Sequence, residues 1–148
     1  MTSPACPTKE LFALGVQIRF LTTAQSSGGA YTIMRYTLPA GRVGSPAHYH
    51  MNMTESFYVL EGKLTVLQGT EWCVFGQGSL VTVLPKEVHG FRNDQDAPAV
   101  FLVTTTPGGV ERFLQGLADM GRQEGQWPPS NPARMVELGR RHDTFYTI

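Results

Sequence analysis

Cysteine, charge and long apolar runs are all scarce in this sequence, and each shortage removes a class of protein. Cys6 and Cys73 are the only cysteines in 148 residues, and no C-x-x-C pattern occurs. Neither a disulfide framework nor a cysteine-based zinc site is encoded, and free thiols are expected. Charged residues make up 16% of the chain and cancel, 12 basic against 12 acidic. The longest basic cluster is Arg140–Arg141, which excludes the basic stripe of a nucleic-acid binder. No stretch reaches the roughly 18 apolar residues of a membrane-spanning helix. The opening MTSPACPTKELFALG lacks the basic segment and apolar core of a secretory signal. A cytoplasmic protein with no nucleic-acid or membrane partner is the expectation.

What the sequence does have is a succession of short β-like runs. ALGVQIRFL (13–21) and YTIMRYTLP (31–39) come first, after a proline-bearing arm over residues 1–12. Then SFYVL, KLTVL, EWCVF and SLVTVL follow one another between Gly- or Pro-containing turns, and segments near 89–92 and 97–105 close the series. Strands of this length and spacing predict an all-β sandwich or barrel. No amphipathic helix interrupts them, which argues against a βαβ arrangement. After Thr106–Pro107 the period changes. Val110, Phe113, Leu114 and Leu117 fall at helical spacing, with Gly121 at the expected C-cap. Asn131 and Pro132 predict the N-cap and first residue of a second helix ending at Gly139. The chain is therefore read as one domain over 1–148: a barrel core at about 13–106 and a helical extension at 107–148 packed outside it. Several strands are apolar on both faces, so both sides of the sheet need cover, and a homodimer is expected.

The chemistry concentrates in HYHMNMTESFYVLEG, residues 48–62. Side chains two apart in a strand share a face, so His48 and His50 point the same way. Met51–Thr54 reads as a turn, which brings Glu55 back beside His50 at the head of an inward row with Phe57 and Val59. A buried carboxylate there needs a partner. His89 stands on another strand segment after Pro85. Three imidazoles and a carboxylate suit a divalent transition ion: Fe, Mn, Ni, Co, Cu or Zn. By spacing alone the same residues also suit a polar turn with a buried, hydrogen-bonded histidine.

The pattern resembles the cupin superfamily. The first cupin motif is Gly, five residues, His-x-His, three or four residues, Glu, six residues, Gly. His48, His50, Glu55 and Gly62 match it, with Arg42 in place of the first glycine. The second motif is Gly, five residues, Pro-x-Gly, two residues, His, three residues, Asn. Gly78, His89 and Asn93 match, while Leu84 and Lys86 replace the proline and the inner glycine. Lysine accepts a positive φ poorly, so the turn before His89 is where departure from the family is expected. The resemblance implies a double-stranded β-helix, or jelly-roll barrel, with one metal ion per chain held by His48, His50, Glu55 and His89. Asn93 is expected mainly to stabilise its turn.

A finer likeness, to the quercetin 2,3-dioxygenase-like group, rests on ESFYVLEGKL, HGFRN, APAVFLV and the TPGG turn. It implies a metal-dependent dioxygenase acting on a small aromatic or enolisable, flavonol-like compound. Glu55 would double as ligand and general base, with its pKa raised by the apolar barrel. Tyr49, Met51, Met53, Phe57 and Phe91, with Trp72, are candidates for an aromatic pocket. Two alternatives stay open at this point. One is a metal-cupin isomerase or cyclase that uses the ion as Lewis acid alone. The other is a non-catalytic cupin that binds a small molecule.

Overall fold

The structure is a computed structural model describing residues 9–147. Cys6 and most of the predicted N-terminal arm lie outside the described residues. The rest of that arm is not irregular: Glu10–Ala13 forms strand β1, paired antiparallel with β2 (Val16–Thr22). The other strands are β3 (Thr32–Leu38), β4 (His48–Tyr49), β5 (Thr54–Glu61), β6 (Leu64–Gln68), β7 (Glu71–Phe75), β8 (Leu80–Val83), β9 (His89–Arg92), β10 (Ala99–Thr106) and β11 (Phe145–Tyr146). A short helix α1 (Ala24–Ser27) occupies the polar turn after β2.

The strands form two antiparallel sheets. One has six strands in the order β1-β2-β3-β10-β5-β8, the other five in the order β11-β4-β9-β6-β7. Neighbours that are not consecutive in sequence, such as β10 between β3 and β5, are the signature of a double-stranded β-helix. The alternation in β5 explains how the core is filled: Glu55, Phe57 and Val59 are buried, while Tyr58 faces out. Phe57, Phe91 and Phe101 meet between the sheets, with ring centroids 5.5–6.2 Å apart. Outward, Tyr58, Trp72, Val74 and Leu80 stay exposed.

Gly62 shows why the motif closes on glycine. Its φ is +73°, and a Cβ there would stand 2.4 Å from the Pro98 carbonyl oxygen. The turn from β5 into β6 is therefore open to glycine alone.

Two further helices follow the barrel, α2 (Glu111–Glu124) and α3 (Pro132–Arg140). α2 buries Phe113, Leu114, Leu117, Ala118 and Met120, and packs on β1. Its end is corrected by one turn. Gly121 lies inside the helix, and the left-handed C-cap is Gly125, with φ 70°. α3 starts as expected, the Asn131 side chain accepting from Ala133 N at 3.0 Å. It runs one residue past Gly139 to Arg140. Gly139 is needed there for closeness instead, since a Cβ would meet the Thr144 carbonyl at 2.6 Å.

Candidate metal centre

The two sheets converge on four side chains. His48 and His89 are direct cross-strand partners on β4 and β9 of the five-stranded sheet. Glu55 heads β5 of the six-stranded sheet, and His50 sits just beyond β4. All four are buried, and their ligand-type atoms lie within 4.8 Å of one another. The predicted set is thus one cluster, assembled from residues up to 41 positions apart (48 to 89).

The orientation of each imidazole is fixed from behind. Nδ1 of His48 faces the Pro46 carbonyl at 2.7 Å, Nδ1 of His50 the Asp143 carbonyl at 2.8 Å, and Nδ1 of His89 the Glu87 carbonyl at 3.0 Å. A carbonyl only accepts, so each Nδ1 carries the hydrogen and donates it. Each neutral ring then points an Nε2 lone pair into the cluster. Nε2 of His50 and of His89 lie 3.2 and 2.9 Å from the same Glu55 Oε2. Lone pairs facing a carboxylate oxygen repel unless a cation sits among them. Either extra protons or a metal ion must fill that role.

The electrostatics narrow the choice. Burial, with His89 and His50 beside it, pushes His48 down to about 3, so this ring stays neutral and its lone pair unclaimed. Burial also lowers His50, but the hydrogen bond and charge of Glu55 outweigh it, and the net shift is upward. For Glu55 the sequence led to an expectation of a raised pKa, and the structure corrects it. Burial does push the carboxyl up, but its contacts with the His50 and His89 rings outweigh this and hold it well below the usual carboxylate range. The residues therefore fit a divalent ion: His48, His50 and His89 would offer it nitrogen donors and Glu55 an ionised oxygen donor.

The turns that present these residues are built by residues distant in sequence. The Asp143 carboxylate accepts from Met51 N at 2.8 Å and Asn52 N at 3.0 Å, pinning the loop after His50. Lys86 takes the positive φ of the missing glycine, at 72°, and donates its N–H to the His50 carbonyl at 2.6 Å. The departure from the motif therefore leaves the turn in place at a local cost of about 1–2 kcal/mol. Asn93 is no ligand. Its side-chain amide donates to the carbonyls of Leu38, Pro39 and Ala97, stapling the β9–β10 connection as expected.

The proposed aromatic pocket is only partly assembled. Phe57 and Phe91 line the interior, Phe57 with its ring centroid 6.4 Å from that of His89, and Met53 is buried. Tyr49 is corrected: it alternates to the opposite face of β4 and stacks on Phe145 at 5.3 Å. Met51 is exposed, and Trp72 lies outside under the Arg92 guanidinium. Two residues that the sequence did not point to do face the interior. Tyr36 packs on Phe101, and Tyr146 on β11 is the cross-strand partner of His48, with rings 5.6 Å apart. Burial, and then the nearby Glu55 charge, raise both phenols above their ordinary range, so both stay protonated. No local signal marks them. Tyr146 reaches the site only because the tail folds back beside β4. A cavity of about 240 Å³ has His89 and Val83, the latter the cross-strand neighbour of Glu55, among its walls. Larger hollows lie along α3 and between β1 and α2, away from the cluster.

This barrel brings together four side chains that could hold a metal ion, as cupin barrels do. The chain carries a small cupin domain: the family model described as "Cupin domain" matches residues 34–105. No curated protein matches the chain in sequence. Solved structures share the fold. A sugar phosphate isomerase of the cupin superfamily from Silicibacter pomeroyi superposes with a TM-score of 0.61 at 22% identity, over 72% of this chain and 75% of its own. The nucleoside dehydratase Pac13 of Streptomyces gives 0.58 at 16%, over 76% and 86%. KdgF from Halomonas gives 0.58 at 15%, over 66% and 84%. None of these three is named as a dioxygenase.

Proposed function

We propose that the protein is a metal-dependent cupin enzyme that moves a proton on a small hydroxylated carbonyl compound, as in an isomerisation or dehydration. The observation that carries this reading is the buried convergence of three Nε2 lone pairs and one ionised carboxylate oxygen. A divalent ion bound there supplies Lewis acidity toward a substrate oxygen. His48, His50 and His89 hold it through rings oriented by backbone carbonyls. Both histidine contacts of Glu55 fall on Oε2. Oε1 is thereby left to accept a substrate proton and return it; with the carboxyl held below its usual range, that base would need a substrate acidified by the bound ion. The isomerase and dehydratase among the structural neighbours lend the same direction, at identities that carry fold alone.

A second reading, dioxygenation of an enolisable aromatic compound, rests on Phe57 and Phe91 beside His89. The first removes a carbon-bound proton and the second a hydroxyl proton, and one pair of assays separates them. Metal-loaded protein is incubated in D₂O with a panel of α-hydroxy aldehydes and ketones, and separately in air with a flavonol. The proposal predicts loss of the α-proton NMR signal for at least one hydroxycarbonyl, and no O₂ consumption with the flavonol. Oxygen uptake without any exchange would reverse the assignment in favour of the second reading.

A further inference from the structure

Three buried side-chain hydroxyls among the described residues have no hydrogen-bond partner: those of Thr65, Thr105 and Tyr146. A buried hydroxyl left unpaired costs about 1–3 kcal/mol, so each needs a reason. Two of the three adjoin the ligand cluster. Tyr146 is the β11 residue directly opposite His48, on the face that carries the ligands. Thr105 is the β10 residue directly opposite Glu55 and is fully buried on the inward row of Phe101 and Val103. Directly opposed residues have Cβ atoms about 4.5–5.5 Å apart, so each hydroxyl flanks a ligand, and the two do so from different sheets. The fold satisfies the next threonine in the row: Thr32, opposite Thr105 on β3, donates to the Glu111 carboxylate. Thr65 is different, since it sits on the face of β6 opposite to the core residue Val66.

We propose that Tyr146 and Thr105 are the substrate-facing polar groups of the site, and that the substrate is a small molecule carrying at least two neighbouring oxygen functions. Tyr146 donates to an oxygen on the His48 side, and Thr105 contacts one on the Glu55 side. This rests on the metal reading of the cluster and narrows the substrate to the polyoxygenated class. It also gives the C-terminal strand a role in recognition, because Tyr146 lies 98 residues from His48 in sequence (48 to 146). A purely apolar guest would leave both hydroxyls unpaired.

The test uses the full-length protein loaded with Co(II) and titrated with glycolate and with acetate, binding being followed by the visible cobalt spectrum. Acetate offers the carboxylate alone; glycolate adds the neighbouring hydroxyl. Tyr146→Phe and Thr105→Val should each keep the metal content and melting temperature close to wild type. Each should weaken glycolate about five- to tenfold, the size of one hydrogen bond; the variant that lost the partner of the added hydroxyl should leave acetate within about twofold, while the other weakens both probes. Equal weakening of both probes by both variants would make the hydroxyls structural and overturn the proposal, as would no weakening of glycolate by either. A charge-transfer band on Cu(II) loading that Tyr146→Phe abolishes would make Tyr146 a metal ligand, and that too overturns it. Failure of the metal reading is separable: no form of the protein would then take up Co(II) at all, and this inference would fall with it.

Discussion

At the scale of single residues, the site is decided by what stands behind each imidazole. Three backbone carbonyls, of Pro46, Glu87 and Asp143, hold the Nδ1 hydrogens of His48, His89 and His50 and so aim three lone pairs at one point. Asp143 does more, since its carboxylate also grips the backbone of Met51 and Asn52 while its own φ is held at +54°. Asp143→Ala removes both acceptors and loosens the turn that places His50. It is expected to lower zinc affinity about tenfold, in the range measured for groups that orient metal ligands. Asp143→Asn should recover part of that loss, because asparagine tolerates a positive φ and keeps one acceptor oxygen. Competition against a chromophoric chelator measures both. Equal affinities in all three proteins would mean the carboxylate does not position the site.

At the scale of elements, the approach of loop to strand matters as much as the strands. β9 carries His89 and then Gly90, and the chain at Ser45–Pro46 lies directly on it. A Cβ on Gly90 would stand 2.8 Å from the Ser45 carbonyl and 3.2 Å from the Pro46 carbonyl carbon. Phe91 N donates to that Ser45 carbonyl at 3.1 Å. Gly90→Ala must push this loop outward, and with it the Pro46 carbonyl that orients His48. The expected cost is roughly 1–3 kcal/mol of stability, with weakened metal binding although no ligand is touched. Gly76→Ala, where nothing lies within 4 Å, is the control and should be neutral. Thermal melts with and without zinc read both effects. A Gly90→Ala protein as stable and as zinc-avid as wild type would contradict the packing argument.

The strands were legible in the sequence because turn residues punctuate them. EWCVF was read as residues 71–75 and is β7 over the same span. Helix ends were less legible. Gly121 has the look of a cap, but the helix runs through it and the αL residue is Gly125, whose N–H closes on the Gly121 carbonyl. α1 was not foreseen at all. It is a single turn with no buried residue, set by the Thr23 and Ser26 side chains rather than by a hydrophobic period.

At the scale of the whole molecule, closure of the barrel sets what sequence can and cannot reveal. His48, His50, Glu55 and His89 were legible because their spacing is local within two strand–turn segments. Tyr146, Thr105 and Asp143 were not, because they reach the cluster only through pairing of the tail with β4 and of β10 with β5. Tyr49 was misplaced for the converse reason. Proximity in sequence put it beside the ligands, while strand alternation turned it to the other face. The two sheets thus deliver one buried donor set that neither could assemble alone, with His48 and His89 from one and Glu55 from the other. The most direct test of that account is the metal content of purified protein, reconstituted with a divalent transition ion, desalted and analysed by plasma mass spectrometry. Wild type is predicted to retain about one ion per chain, and His89→Ala far less, since removing one of four ligands opens the set. A wild type that retains none, or a His89→Ala protein that retains the full complement, would contradict it.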